Sequence, residues 1–296
     1  MASLARIEDK AAGPRAPGRA QRLRADSPGL ATFRALATAD FERSLSRLIE
    51  SEIIPRLMVV HAANAPLTAS QAIAAEEVTA LAPLALEVEA DALLAHVEAI
   101  LGRGVTLDTL MVDLLAPTAR LLGEWWESDR LDFVDVTMAL WRLQEVVHEV
   151  TTRWPPDRAC ATPARCALFA TMPDDQHSFG TLVVEEVFRR GGWTTDRMAG
   201  PPAGELVARV GRNWFDLVGL TVSCDAHIAP LTSVIVALRN VSRNPRLCIM
   251  VGGRVFSADP QLAIRVGADG TAGDARRALK VADSLVLVRE GVGLRP

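Results

Sequence analysis

A short polar loop places an acid, a histidine and a glycine within six residues, as Asp175-x-His177-x-x-Gly180 in "DQHSFG". The strand-like run "CALFAT" (Cys166–Thr171) precedes this loop, and the helix-like run "TLVVEEVFRR" (Thr181–Arg190) follows it. An aspartate beside a histidine can accept the imidazole N–H, which fixes the tautomer and leaves the other ring nitrogen free for a metal. A glycine where the helix starts lets a bulky ligand approach the backbone. The pattern is short, and taken alone it favours an ordinary helix-capping loop over a metal site.

Residues 166–290 alternate between strand-like and helix-like runs around this loop. The strand-like runs are Cys166–Thr171, Trp193–Met198, Phe215–Ser223, Arg246–Gly253 and a short one within Gly267–Gly273. The helix-like runs are Leu182–Arg190, Gly204–Val210, Ala229–Val241, Pro260–Val266 and Asp274–Leu285. This alternation predicts a five-stranded parallel sheet with helices on both faces. Ligands of such sheets bind beyond the carboxyl ends of the strands, near the switch point in strand order, which is where His177 falls.

Residues 70–150 have helical periodicity, and we predict that they form a small helical bundle ahead of the sheet domain. Its helical runs are Ala85–Gly104, Thr106–Asp129 and Phe133–Trp154. Thr106 is a plausible N-cap, and Pro117 predicts a kink. The proline-rich residues 151–165 then predict a linker to the sheet domain at 166–290.

The chain ahead of the bundle has two parts. Residues 1–30 are rich in Ala, Gly, Pro and Arg, and the first 24 hold six Lys or Arg against two acids, so we predict a disordered basic tail. Residues 31–63 predict an N-terminal helical segment, interrupted at Pro55.

Composition argues against several functional classes. The chain of 296 residues is 49% hydrophobic and 23% charged, with a net charge of −4. No apolar run approaches the roughly 20 residues of a membrane span, and the four cysteines form no CxxC pair, so we expect a cytoplasmic protein without a membrane partner. An acidic folded part makes independent DNA binding unexpected. No nucleophile–base pair or phosphate loop is apparent, so we expect no enzymatic activity.

Three motifs together resemble the cobalamin-binding (B12-binding) family, whose flavodoxin-like, Rossmann-like domain carries D-x-H-x-x-G, then S-x-L, then G-G. The first is complete in "DQHSFG". The second has its counterpart in "TVS", where Thr221 keeps the hydroxyl and Ser223 replaces the leucine, with 40 residues between Gly180 and Thr221. The third is Gly252-Gly253, separated from Ser223 by 28 residues.

The resemblance implies a role for each of these positions. His177 would be the lower axial ligand of cobalt, and Asp175 would orient it. Gly180 would give clearance to the corrin. Thr221 would contact the buried nucleotide tail, with Gly252 and Gly253 leaving room for it, whereas Ser223 departs from the residue that packs there in the family. The implied cofactor is cobalamin in its adenosyl, methyl or hydroxo form.

The predicted helical bundle also resembles part of a known group of proteins. "LLGEWWESDRLDFVDVTMALWRLQ" (Leu121–Gln144) is similar to the helical cap of light-sensing B12 proteins, in which a tryptophan covers the upper face of the corrin. By register that residue is Trp126, with Trp125 as the alternative, although a tryptophan pair on a helix normally packs a core. The DNA-binding B12 photoreceptors carry Glu-His about ten residues further on, where this chain has Val136 and Thr137, so the resemblance implies that Val136 borders the cofactor.

The segments "DFVDVTMALWRLQ" and "IIPRLM" resemble most the AerR/PpaA-type antirepressors of photosynthetic bacteria, over about residues 33–285. This implies a light- or redox-responsive transcriptional regulator that acts on photosynthesis genes through a repressor partner of the CrtJ/PpsR type. Three alternatives stay open: a heme-binding redox sensor on the same fold, a corrinoid methyl-carrier for a methyltransferase, and a ligand-free interaction protein.

Overall fold

The computed structural model describes residues 72–156 and 165–289, which fall in one structural unit, Leu67–Pro296. The predicted basic tail (1–30), the predicted N-terminal helical segment (31–63) and residues 157–164 of the predicted linker lie outside the described residues. Within the described ranges, no helix is long and apolar enough to span a bilayer.

The first described range is entirely helical and is called the cap below. Its elements are α1 (Ala75–Glu87), α2 (Ala90–Gly102), α3 (Leu107–Thr109), a π segment (Leu110–Leu115), α4 (Ala116–Glu127) and α5 (Phe133–Arg153). Thr106 caps α3 as predicted, since its Oγ1 accepts a hydrogen bond from the Thr109 N–H at 3.1 Å. Asp132 caps α5 in the same way.

Two features of the cap differ from the sequence prediction. The predicted continuous helix Ala85–Gly104 is wrong, because Val88 and Glu89 are extended and separate α1 from α2. Neither a glycine nor a proline marks this break, and the apolar spacing persists across it because both helices bury leucines in the same core. The irregularity predicted at Pro117 lies just before it, in the six-residue π segment.

The second described range confirms the prediction of a five-stranded parallel sheet, with strand order β2-β1-β3-β4-β5. The strands are β1 (Cys166–Thr171), β2 (Thr194–Met198), β3 (Leu217–Thr221), β4 (Cys248–Gly252) and β5 (Gly270–Thr271). The helices between and after them are α6 (Phe179–Arg190), α7 (Ala203–Arg212), α8 (Ile228–Val241), α9 (Arg254–Ala258), α10 (Leu262–Arg265) and α11 (Ala275–Arg289). β3 ends at Thr221, two residues earlier than predicted, so Ser223 lies in a loop.

The two faces of the sheet are covered by different helices. One face packs against α7 and α8, and the other packs against α6 and α11. The cap packs on the second side, because Phe179, Val183 and Val187 of α6 are buried within the cap's own core. An ion pair between Arg276 of α11 and Asp113 of the π segment adds a polar contact at 3.1 Å. The cap and the sheet domain therefore share one apolar interface.

Candidate functional site

The strand order reverses direction between β1 and β3, so the loops that follow these two strands meet at the carboxyl edge of the sheet. Thr171 and Thr221, the last residues of the two strands, pair in register. The Met172 N–H then donates to the Thr221 carbonyl at 3.0 Å, which carries the pairing one residue beyond β1. This edge brings the acid and histidine of the first motif beside the residues of the second.

Asp175 and His177 form the hydrogen-bonded pair that their spacing predicts. The Asp175 side chain is buried, and its Oδ1 lies 2.7 Å from His177 Nδ1 and accepts the His177 backbone N–H at 3.0 Å. The imidazole is 65% exposed, so Asp175 holds one ring nitrogen while the ring itself faces outward. The arrangement suits an imidazole that binds a metal through Nε2. Ligation of cobalt itself stays a prediction.

The electrostatics of the pair follow from these contacts. Burial raises the pKa of the Asp175 carboxyl, but hydrogen bonds from His177 and Ser223 outweigh burial and hold that pKa well below its usual range. The hydrogen bond to Asp175 raises the pKa of His177 above its ordinary value, against the lowering effect of burial. Asp175 is therefore a carboxylate at neutral pH, and it is an acceptor for the imidazole N–H.

Two residues of the loop after β3 complete the surroundings of Asp175. Ser223 donates to Asp175 Oδ2 through its backbone N–H at 3.3 Å and through its Oγ at 2.5 Å. His227 Nδ1 lies 3.3 Å from the same oxygen, and Cys224 Sγ lies 3.6 Å from that Nδ1. Sequence reasoning treated Ser223 only as a departure from leucine and missed His227. The switch-point rule was the available signal, because it directs attention to polar residues after both central strands.

Threonines hold the two loops and α6 in place. Thr171 Oγ1 donates to the Asp175 carbonyl at 2.7 Å and accepts the Gly200 N–H at 2.8 Å, so it fastens the loop that carries His177. Thr181 Oγ1 donates to Thr221 Oγ1 at 3.1 Å. Thr221 therefore faces the first turn of α6, beside Gly180.

The three motif glycines divide into two kinds. A Cβ added at Gly180 or at Gly252 would meet no atom within 4 Å, so both positions border open space. Gly253 has φ +106°, and a Cβ there would lie 2.2 Å from the Val222 carbonyl oxygen. Gly253 is thus required by the protein's own backbone, whereas Gly180 and Gly252 leave room for something else.

The cap residues singled out in the sequence have different surroundings. Trp125 packs partly into the cap core and carries the Arg130 guanidinium 4.5 Å from its ring centroid. Trp126 is 42% exposed, so it is not a core residue of the cap. Val136 is buried in the cap core, and the structure gives it packing contacts; its predicted contact with a cofactor stays a prediction.

An ion pair locates the end of α4 relative to the sheet domain. Glu127, the residue after Trp126, pairs with Arg254, the residue after Gly253, at 3.1 Å. Trp126 therefore lies near the edge of the sheet where the motif residues are gathered. An outward-facing imidazole, open positions at two glycines and an exposed tryptophan nearby fit a large planar cofactor whose metal lacks one axial ligand.

Comparisons with known proteins agree with this geometry. Residues 165–282 match the family model described as B12 binding domain. The chain is 26% identical over 149 residues, 50% of its length, to an uncharacterized 20.5 kDa protein in the bchF-crtJ intergenic region of Rhodobacter capsulatus, of which it covers 77%. Its fold is similar to that of the monomethylamine corrinoid protein of Methanosarcina barkeri, with a TM-score of 0.59 and 17% identity, over 71% of this chain and 98% of that one. Residues 165–282 thus match a B12 binding domain, and a helical cap precedes them in this chain.

Proposed function

We propose that this protein is a cobalamin-binding regulator that responds to light or redox state and controls transcription through a repressor partner of the CrtJ/PpsR type, as an AerR/PpaA-type antirepressor. The observation that carries cobalamin binding is the exposed His177 ring, held by buried Asp175, inside a B12 binding domain. Support for regulation comes from the similarity to a protein in the bchF-crtJ intergenic region. The role is regulatory and not enzymatic.

The residues divide the work of holding the cofactor. His177 would provide an imidazole nitrogen to the cobalt, and Asp175 fixes its ring. Gly180 and Gly252 leave space for the macrocycle and its tail, and Thr221 presents a hydroxyl between them. Trp126, exposed at the end of α4, would contact the cofactor from the cap.

When bound, an alkylcobalamin would supply a cobalt–carbon bond that light can break. Trp126 is the cap residue whose contacts would differ between the alkylated and the photolysed cofactor. Because Trp126 adjoins the Glu127–Arg254 ion pair, such a difference would act on the attachment of the cap to the sheet domain. The cap and sheet domain are then the two parts whose relative arrangement the ligand can bias. A partner that binds the cap would sense the difference.

A corrinoid methyl-carrier is the second candidate, favoured by the fold that the chain shares with the monomethylamine corrinoid protein. The two functions differ in what they need from the cofactor, since a carrier passes a methyl group to a methyltransferase. Transfer of a methyl group to or from the loaded protein with such an enzyme would favour the carrier.

The test is to load the purified full chain separately with hydroxo-, methyl- and adenosylcobalamin and with hemin, and to record absorption spectra in darkness and after illumination. We expect retention of a cobalamin and a light-dependent spectrum for an alkylated form. The His177→Ala variant should lose the spectrum of the imidazole-ligated cobalamin, whereas His148→Ala, on the exposed side of α5, should keep it. Retention of hemin alone would refute cobalamin binding.

Regulation is tested with the repressor. A mobility-shift assay would measure how much operator DNA the repressor holds as this protein is added in darkness and after illumination. Release of DNA that depends on the loaded form supports the antirepressor. An unchanged repressor–DNA complex under every condition would refute it.

A further inference from the structure

Helix α5 has apolar residues on two opposite sides. Its inward side is buried in the cap core through Val136, Ala139, Leu143, Val146, Val147 and Val150. On the opposite side, Val134, Met138 and Trp141 follow one another at the i, i+4, i+7 spacing of a single helical stripe. We call these three residues the α5 stripe. They are 64%, 41% and 48% exposed.

A stripe of this kind is unusual on a free surface. Single exposed apolar residues are common, but neighbouring ones on one helix face mark sites of association. Tryptophan and methionine are also enriched at protein interfaces, where tryptophan often contributes most of the binding energy. The α5 stripe lies on a different helix from Trp126, the exposed tryptophan of α4 that is proposed to contact the cofactor.

The negative charge of the cap around the stripe indicates that a complementary partner is basic. Residues 72–156 contain fifteen Asp or Glu and five Arg, a formal charge of −10, whereas residues 165–289 contain twelve acids and fifteen bases, a charge of +3. Asp135 and Glu145 lie next to the stripe on α5. Arg142 does not neutralise them, because its guanidinium is turned toward the carbonyls at the end of α1, Ala85 and Leu86.

We infer that the α5 stripe, with its acidic border, docks the basic face that the repressor uses to contact DNA. This inference rests on the proposed function. A DNA-binding protein must present clustered Lys and Arg to the phosphates, and such a face is complementary to an acidic helical surface with an apolar centre. Occupation of that face by the cap excludes DNA, which is a direct route to antirepression.

The experiment measures binding of the repressor to the full-length, cobalamin-loaded chain and release of labelled operator DNA, by fluorescence anisotropy. Trp141→Ala tests the apolar stripe, and its matched control is Ile264→Ala, a 72% exposed residue on α10. Glu145→Lys tests the acidic border, and its matched control is Glu205→Lys, an exposed acid on α7. All four variants should keep the cobalamin spectrum and the circular dichroism of the unmodified protein.

We expect Trp141→Ala and Glu145→Lys each to weaken repressor binding and DNA release by about tenfold or more, whereas the two controls change them less than about twofold. Added salt should weaken binding of the unmodified protein more steeply than binding of Glu145→Lys. Equal binding by Trp141→Ala and Ile264→Ala would overturn the inference. A chain that never binds the repressor refutes the proposed function instead.

Photo-crosslinking distinguishes the repressor from two other occupants of the stripe, residues 31–63 of the same chain and a second copy of the chain. A photo-crosslinking residue at position 138 should join the chain to the repressor. A crosslink to residues 31–63 of the same chain, or to a second copy of it, in place of one to the repressor would overturn the inference. Light scattering distinguishes these two cases. Only a second copy bound at the stripe would make the molecular mass in solution depend on Trp141, so Trp141→Ala would lower the mass in that case alone.

Discussion

Glu127 and Arg254 form an ion pair that joins the end of α4 to the start of α9, with Oε2 and Nη1 3.1 Å apart. Both side chains are largely exposed, so the pair contributes little to the stability of the fold. Its position gives it another role, because the residue before Glu127 is Trp126 and the residue before Arg254 is Gly253. The pair therefore links the segment that carries the cap tryptophan to the segment that carries the paired glycines.

Breaking this pair should speed the loss of cofactor. We expect Glu127→Gln and Arg254→Gln each to raise the dissociation rate of bound cobalamin by about two- to fivefold, the range that an exposed pair of roughly 0.5–1 kcal/mol supports. The double variant should be no faster than either single variant, since both remove the same contact. Stopped-flow transfer of cobalamin to an acceptor protein measures these rates. Arg265→Gln on α10, which breaks the exposed pair of Arg265 with Asp259, is the control and should leave the rate unchanged.

The two kinds of glycine predict opposite outcomes. Gly253→Ala should destabilise the chain, because alanine at positive φ costs about 1–2 kcal/mol and its Cβ also meets the Val222 carbonyl. We expect a fall in Tm of about 4 °C or more. Gly180→Ala should leave the Tm of the cofactor-free protein within about 1–2 °C, since helix α6 accepts alanine readily. Cobalamin binding, measured by titration, should nonetheless weaken in Gly180→Ala. Equal Tm values for the two variants would contradict this division.

The contacts of Asp175 with the loop after β3 should affect the redox potential of a bound cobalt. Removing His227 or the Ser223 hydroxyl leaves more negative charge on Asp175 to accept the His177 N–H, which makes the imidazole a stronger donor. We expect His227→Ala and Ser223→Ala to shift the Co(III)/Co(II) midpoint potential to a more negative value at constant pH. His227→Asn should restore part of the shift, and His148→Ala should cause none. An unchanged potential would show that the loop only packs, and a more positive one would contradict the charge argument.

The Asp175–His177 pair also predicts a pH dependence for the cofactor-free protein. Asp175 has a lowered pKa, so its contribution to stability is present above the ordinary pKa of 3.8 and is lost as pH falls below it. His177 has a raised pKa, so its contribution is present below the ordinary 6.5 and is lost as pH rises through its folded value. Together they contribute most between about pH 4 and 6.5. Urea unfolding from pH 4 to 8 should show that His177→Ala removes part of the decline above pH 6.5. A decline of the same size in the variant would contradict the assignment.

The sheet and its first motif were predictable because local signals and topology agree there. Buried parallel strands give continuous apolar runs, and the loop after Cys166–Thr171 is polar, so the position of His177 follows from strand order. The break between α1 and α2 was not predictable, since Val88 and Glu89 are ordinary helix residues and only tertiary packing requires them to be extended.

The role of Ser223 was hidden for a different reason. Asp175 and Ser223 are 48 residues apart, and their contact depends on the register between β1 and β3, which spacing within one motif does not encode. The exposure of Trp126 likewise depends on which side of α4 the cap core occupies, and a Trp-Trp pair leaves that choice open.

Within the described ranges 72–156 and 165–289, the uneven distribution of charge between the helical and sheet portions produces an electric dipole with its negative pole on the helices. A cationic macromolecule that diffuses toward this part of the chain should therefore meet the helices first, so that the sheet edge proposed to hold the corrin stays accessible during the encounter. The rate of productive collision should consequently depend on ionic strength even where the final affinity is dominated by apolar contact.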